Sequence, residues 1–390
     1  MSRLLAPFLA LVGAVLSACA PLQQGALKFS GQAQPGFSEN WFTSFDGARL
    51  GLTTWKPPSP CPQPVQSADD PNVIIVSSCG KYPPRPEFVG PETVIVAVHG
   101  MNDYAGAFNA AGKWWSEHGI TVYAYDQRGH GRSPQPGIWP QHDVMRKDLK
   151  AAVAVARRLH PKARIAVVGE SMGASVAITA FAERDPPAAD VLILSGPGFR
   201  GWGALPLLYS VSLWTSSHVR PGWIVVPPKG VHVVATDNND KLREMWNDKY
   251  VLKDNRIDSV YGVVSIMEEA DAKVARLPKK VPTLLLYGAN DQVIPPFGVE
   301  RAAKKLPTFV KTAYYKNGYH MLMNDKQAPT VYADILGFID DPSKPLPSGS
   351  PPLPWHAAPA APQQAKVQAA PRQAEPVKSA ENRVNTASNP

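Results

Sequence analysis

Ser171 sits in the run VVGESMGAS, with Gly169 and Gly173 two positions to either side. A serine hydroxyl is a weak nucleophile at neutral pH and needs a base beside it. Two later stretches offer the partners: Asp291 lies in LLLYGANDQVIPP and His320 in YYKNGYHMLMND. An imidazole at 320 can take the serine proton and return it to a leaving group. A carboxylate at 291 can orient that imidazole and stabilise its cation. The chemistry such a trio performs is acyl transfer. Competing bases are His130, His218, His232 and His356, and competing acids are Glu268, Asp271 and Asp325. None of them combines the order serine, acid, histidine with a place directly after a strand. The trio itself calls for no metal or cofactor, and none is expected.

These residues must be positioned by the elements around them. ARIAVVGES reads as a short apolar strand and MGASVAITAFAER as a helix, so Ser171 falls at the turn between them. A G-x-S-x-G turn of this kind holds the serine in strained geometry above a sheet, and its two glycines let strand and helix approach closely. The tetrahedral intermediate of acyl transfer needs donors for its oxyanion. The Met172 N–H, directly after the serine, is one candidate. The Met101 N–H in VHGMND is the other, with His99 bracing that turn and Gly100 allowing close approach.

The same alternation runs through the chain. TVIVAVHG, ITVYAYDQRG, DVLILSGPG, VPTLLLYG and KTAYYKNG read as further strands. GKWWSEHG reads as a helix, and so does HDVMRKDLKAAVAVARRLH, where Val144, Leu149, Val153, Val155 and Leu159 fall near one face. Short apolar strands alternating with amphipathic helices predict an α/β fold: a mostly parallel buried sheet with helices on both faces. ENWFTSFDGARLGLTTWKP predicts a β-hairpin over Glu39 to Lys56 about its DG turn. Pro57 to Pro91 is a proline-rich excursion with one short strand at VIIVSS.

The alternation breaks between residues 197 and about 275, a stretch rich in aromatic residues with helices expected at LREMWNDKYVL and SVYGVVSIMEEADAKVA. An insertion there, before the sheet resumes, predicts a helical lid over the C-terminal edge of the sheet, with Trp202 and Trp214 expected against an acyl chain. The domain so defined spans residues 39–340. The remaining 341–390 is rich in Pro, Ala and Gln and has too little apolar surface to offset its ordering entropy. It is expected to be disordered, and a chain ending at Asp341 is expected to keep its activity and melting temperature.

The start of the chain speaks to compartment. MSRLLAPFLALVGAVLSAC has a basic residue, an apolar core and then small residues, the pattern of a secretory signal over residues 1–19. Its end, Leu16-Ser17-Ala18-Cys19, resembles the lipobox of bacterial lipoproteins, which implies a lipid on Cys19. The resemblance implies a lipid-anchored protein of the cell envelope. With Ala20 following the cysteine it resembles those sent to the outer membrane, facing the periplasm. Residues 20–38 then read as a flexible tether. Cys61 and Cys79 remain as an even pair, expected to form a disulfide in an oxidising compartment. The net charge of +8 is scattered rather than clustered, which argues against a nucleic-acid site.

Taken together, VAVHGMNDYAGAF, VYAYDQRGHGRS, VVGESMGAS, YGANDQVIPP and GYHML resemble the α/β-hydrolase branch of monoacylglycerol lipases and lysophospholipases, also described as serine aminopeptidase-like. The resemblance covers roughly Asn40 to Ile339 and implies the α/β-hydrolase fold. It further implies hydrolysis of carboxylic esters, of single-chain lipids above all, and an apolar lid. A peptidase acting at a free N-terminus is the rival enzyme and would want an acidic pocket. A non-catalytic envelope-binding lipoprotein is the rival from another class, and the three filled triad positions argue against it.

Overall fold

The computed structural model describes residues 21–28, 34–58, 92–226, 230 and 233–356, with the backbone of two short paired strands at Val65–Gln66 and Ile74–Ile75. The segment expected to be a signal, with Cys19, the pair Cys61 and Cys79, His232 and residues 357–390 lie outside the described residues.

Each apolar run read from the sequence becomes a strand. Among the described residues one nine-stranded sheet forms from β1 (Gly36–Phe37), β2 (Trp41–Thr43), β3 (Arg49–Trp55), β4 (Thr93–Val98), β5 (Ile120–Tyr125), β6 (Arg164–Glu170), β7 (Val191–Ser195), β8 (Thr283–Gly288) and β9 (Lys311–Tyr315). Their order is β1-β2-β3-β5-β4-β6-β7-β8-β9. Pairings are antiparallel up to β3–β5 and parallel from β5–β4 onward. The central strands carry apolar side chains on both faces because successive side chains point oppositely. Along β4, Val94, Val96 and Val98 enter one core while Ile95 and Ala97 enter the other.

Helices close both faces: α1 (Asn109–Glu117), α2 (His142–Leu159), α3 (Met172–Phe181), α4 (Leu207–Val219), α5 (Asn239–Asn247), α6 (Ile257–Lys273), α7 (Pro296–Ala303) and α8 (Ala328–Asp340). Residues of α2, α3, α6 and α7 join one core, and those of α1 and α8 the other. Of the α2 stripe, Val144, Leu149, Val153 and Val155 are buried, whereas Leu159 at the last position is exposed. The hairpin over Glu39 to Lys56 is present as β2 and β3, turning at Asp46 and Gly47.

The insertion divides in two. Helix α6 packs into the core through Val263, Ile266 and Ala270. Helix α4 stands out instead, with Leu207, Leu208, Tyr209 and Val211 exposed. The sequence reading missed α4 because LLYSVSLWTSSHV has no polar face to set against an apolar one.

Two expected boundaries need correction. The tether over residues 20–38 is in part docked. Gln24 is buried, and its side-chain amide donates to the carbonyls of Pro134 (3.3 Å), Gln135 (3.1 Å) and Ile138 (2.7 Å). Its own backbone exchanges hydrogen bonds with Trp139 and Gln141, and Leu27 N–H donates to Asp46. Gly36–Phe37 is already a sheet strand.

The tail expected to leave the fold at Asp341 stays on it to His356. It runs beside the edge strand β9: Tyr314 N–H donates to Pro351 O (2.8 Å), and Leu353 N–H to Thr312 Oγ1 (3.0 Å). Leu346 and Leu353 are buried, and Trp355 packs against Tyr287 and Tyr314. Composition misleads here because prolines still offer carbonyls, and an edge strand has unpaired donors to meet them. A chain ending at Asp341 is therefore expected to lose several degrees of melting temperature. Two buried leucines are worth about 1.5–3 kcal/mol each. A chain ending at His356 is expected to melt with the full-length protein. Equal melting of both truncations would show that the docked segment adds nothing.

Candidate active site

Strand β6 ends at Glu170 and α3 begins at Met172, so Ser171 alone makes the turn. It does so at φ 52°, ψ −114°, a region that non-glycine residues seldom occupy. The Ser171 N–H is held by Ser195 O on β7, 2.9 Å away. The flanking glycines are required by close approach. A Cβ on Gly169 would lie 2.7 Å from Gly173 O, and one on Gly173 would lie 2.1 Å from Val98 O. Any side chain at either position pushes the helix off the sheet.

The three residues expected to act together are brought together. Ser171 Oγ lies 2.9 Å from His320 Nε2, and His320 Nδ1 lies 2.8 Å from Asp291 Oδ2. A carboxylate only accepts, so Nδ1 carries the proton and Nε2 is free to receive the serine hydroxyl. Asp291 is fixed in turn, its Oδ1 accepting the N–H groups of Val293 (2.9 Å) and Ile294 (2.8 Å). All three side chains are buried. Burial alone would lower the His320 pKa. The charge and hydrogen bond of Asp291 outweigh it and hold the imidazole above 6.5. A base works only when neutral, so a raised pKa moves the onset of activity upward. The acidic limb of kcat/KM against pH is expected to be centred above pH 6.5. A limb centred below that value would contradict the Asp291 pairing.

Beside the serine, Gly100 brings its loop into contact. A Cβ there would lie 3.2 Å from Ser171 Cβ. His99 is hydrogen-bonded at both ring nitrogens within this loop and its neighbour. The Gln127 N–H donates to His99 Nε2 (2.8 Å), so the ring donates from Nδ1 to Gly100 O (2.7 Å). Burial pushes the His99 imidazole down to about 4, so it stays neutral. The stretch DQRGHGRS, given no role by the sequence reading, proves to be the brace behind this loop. The Asp126 carboxylate accepts the Ala105 N–H and the Arg132 guanidinium. Arg128 is buried between Asp46 and Asp148.

Competing residues have other work. His130 packs beneath His99, and burial drives it to about 3. His218 lies at the C-terminal end of α4 and bonds Trp214 O, and His356 bonds Val310 O. Asp271 pairs with Lys305 and Arg301, Glu268 with Arg301, and Asp325 accepts from Thr236 and Tyr319. One carboxyl next to the serine was missed. Glu170 is buried, and burial, with repulsion from Asp103 added, pushes it up to about 8. It stands neutral at pH 7.

Ser171 opens onto a cavity of about 560 Å³. Its walls are Leu205, Tyr209 and Leu213 from the insertion, Val263 and Met267 from α6, and Ile294 beyond Asp291, with Met101 beside the serine. Trp202 and Trp214, expected here, instead line a separate surface hollow with Tyr261. The aliphatic residues of the insertion, which carry no motif, form the wall in their place. Among the described residues that line the cavity, the one charged side chain is Arg200, also missed.

A family model described as serine aminopeptidase, S33, matches residues 90–327, more than half of the chain. A monoacylglycerol lipase of Mycolicibacterium smegmatis is 24% identical over 257 residues, covering 64% of this chain and 88% of its own. The monoglyceride lipase of Rattus norvegicus is 21% identical, covering 64% and 82%. Among solved structures, a carboxyl esterase from Bacillus coagulans aligns with a TM-score of 0.58 at 21% identity, over 78% of this chain and 98% of that one. A soluble variant of the Saccharomyces cerevisiae monoglyceride lipase, in complex with a substrate analogue, aligns with a TM-score of 0.56 at 14% identity, over 80% and 98%. The structural likenesses are of fold.

Proposed function

We propose, on the premise that this chain belongs to the serine aminopeptidase S33 family of hydrolases, that it hydrolyses carboxylic esters of single-chain lipids such as monoacylglycerols. The observation that carries this is a hydrogen-bonded serine, histidine and aspartate opening onto an apolar cavity. Cavities of this size and lining suit an acyl chain. The exposed apolar residues of α4 fit an enzyme that meets lipid. Two of the relatives above are themselves described as lipases of monoacylglycerol.

Ser171 Oγ attacks the ester carbonyl while His320 Nε2 takes its proton. Asp291 stabilises the imidazolium that forms. The Met101 and Met172 N–H groups receive the oxyanion of the tetrahedral intermediate. His320 returns its proton to the leaving alcohol, which departs and leaves an acyl-serine. Water, deprotonated by the same histidine, then releases the fatty acid and restores the serine.

The peptidase alternative would need a carboxylate to hold the substrate's α-ammonium. Among the described residues, the cavity lining carries Arg200 and no acid. Purified protein assayed against monoacylglycerols, lysophospholipids, p-nitrophenyl esters and aminoacyl amides separates the readings. Ester turnover well above amide turnover is expected, and amide turnover in excess would overturn the proposal.

We further propose that residues 1–19 are a signal, that Cys19 is lipidated, and that the protein is anchored in the bacterial envelope. Cys19→Ser should then release it from the membrane fraction. Unchanged partitioning would reject the anchor.

A further inference from the structure

Among the described residues, Arg200 is the one charged side chain lining the Ser171 cavity. Salt bridges occupy many of the protein's guanidinium groups, among them Arg128, Arg132, Arg146, Arg157, Arg256 and Arg301. Arg200 has no carboxylate partner among the described residues. Its Nη1 donates to the Val293 carbonyl (3.3 Å), and the rest of its donor fork is open to solvent and to a ligand. Arg200 is exposed, and it shares the lining of the cavity with Leu205, Leu213, Val263 and Met267.

Its backbone is registered to the catalytic groups. Arg200 ends the loop that follows β7. Within that loop Gly198 N–H donates to Ser171 O (3.2 Å), and Ser175 Oγ donates to Gly198 O (3.1 Å). At the other end, Val293 belongs to the turn whose N–H groups hold Asp291. Through that one hydrogen bond the exposed guanidinium reaches from the nucleophile's loop to the acid's loop, on the lining of the cavity that Ser171 opens onto. A planar fork of donors matches the geometry of phosphate or carboxylate oxygens.

We propose that Arg200 is the binding site for an oxyanionic group, phosphate or carboxylate, carried by the ester substrate at a distance from the scissile bond. This rests on the ester-hydrolase reading. The charge has two possible sources: a phosphorylated head group, or a free carboxylate at the far end of the acyl chain.

The test uses short-chain substrates below their micelle concentrations, so that interfacial charge plays no part. The full-length protein is assayed on hexanoyl glycerol, on hexanoyl glycerol phosphate, and on a glycerol monoester of adipic acid with its distal carboxylate free. Each is measured with the native protein and with Arg200→Met, Arg200→Lys and the remote surface variant Arg243→Met. The readout is the ratio of kcat/KM on each anionic ester to that on hexanoyl glycerol. Arg200→Met is expected to lower this ratio about tenfold for one anionic ester, and which ester falls identifies the source of the charge. Arg200→Lys is expected to retain part of the preference, and Arg243→Met all of it. Ratios unchanged in Arg200→Met for both anionic esters overturn the inference while leaving the ester-hydrolase reading intact. Failure of the native protein on all three esters overturns both. An equal fall in Arg243→Met would assign the preference to net charge and also overturn it.

Discussion

Ser171→Ala is expected to lower kcat on any ester by about 10⁴–10⁶-fold, with the fold preserved. The hydroxyl is the only atom in the chain that both touches His320 Nε2 among the described residues and faces the cavity. His320→Ala should cost about as much, and the double variant little more, because the two groups act as one unit. Asp291→Asn leaves the shape but reverses a hydrogen bond. Its amide donates where the carboxylate accepted, which favours the wrong imidazole tautomer, so a loss of about 10⁴-fold is expected. A fluorophosphonate probe reads the same property directly. It should label native protein at Ser171 and label His320→Ala far more slowly. Undiminished labelling of His320→Ala would remove histidine from the base role.

Gly173→Ala should be nearly as damaging for a different reason. The added methyl would sit 2.1 Å from Val98 O and 2.7 Å from His99 O, both backbone atoms at the end of β4 and in the loop that leads to Met101. Neither can rotate away. The helix must move, at a cost of about 3 kcal/mol or more. Melting should fall by several degrees, and probe labelling should fall with it although the triad side chains are untouched. Gly36→Ala is the control, since nothing lies within 4 Å of a Cβ there. If Gly173→Ala melts like that control, the tight contact is not what the glycine is for.

Ser171, Asp291 and His320 were legible because each follows a strand whose apolar, β-branched run is itself legible. A turn after a parallel strand fixes where a side chain stands. The glycines beside Ser171 add a second signal of close backbone approach. Arg200 was not legible: it also follows a strand, but no residue type near it marks a cavity wall, and its lack of a carboxylate partner among the described residues is visible only in three dimensions. The insertion's aliphatic wall was hidden for a related reason. Leu205, Leu213 and Val263 look like core, and the tryptophans drew attention by their size. The docked segment up to His356 was hidden by its prolines. Single residues such as Leu346 and Leu353 hold it, with no periodicity for a pattern search to find.

The docking of Gln24 has a consequence for the way substrate is searched. It grips the loop after β5, at the same edge of the sheet as Ser171, and that loop in turn receives Ser259 of α6 at Gly137. A lipid on Cys19 would therefore leave five peptide steps between bilayer and folded protein, at most roughly 18 Å of chain. That leash is shorter than the domain is wide. The edge of the sheet that Gln24 grips, the edge at which Ser171 stands, would be kept near the leaflet that holds the anchor. Turnover would then follow the number of substrate molecules per unit area of that leaflet, and material dispersed in bulk water would count for little. The enzyme would graze one surface in two dimensions, passing from lipid to lipid without letting go.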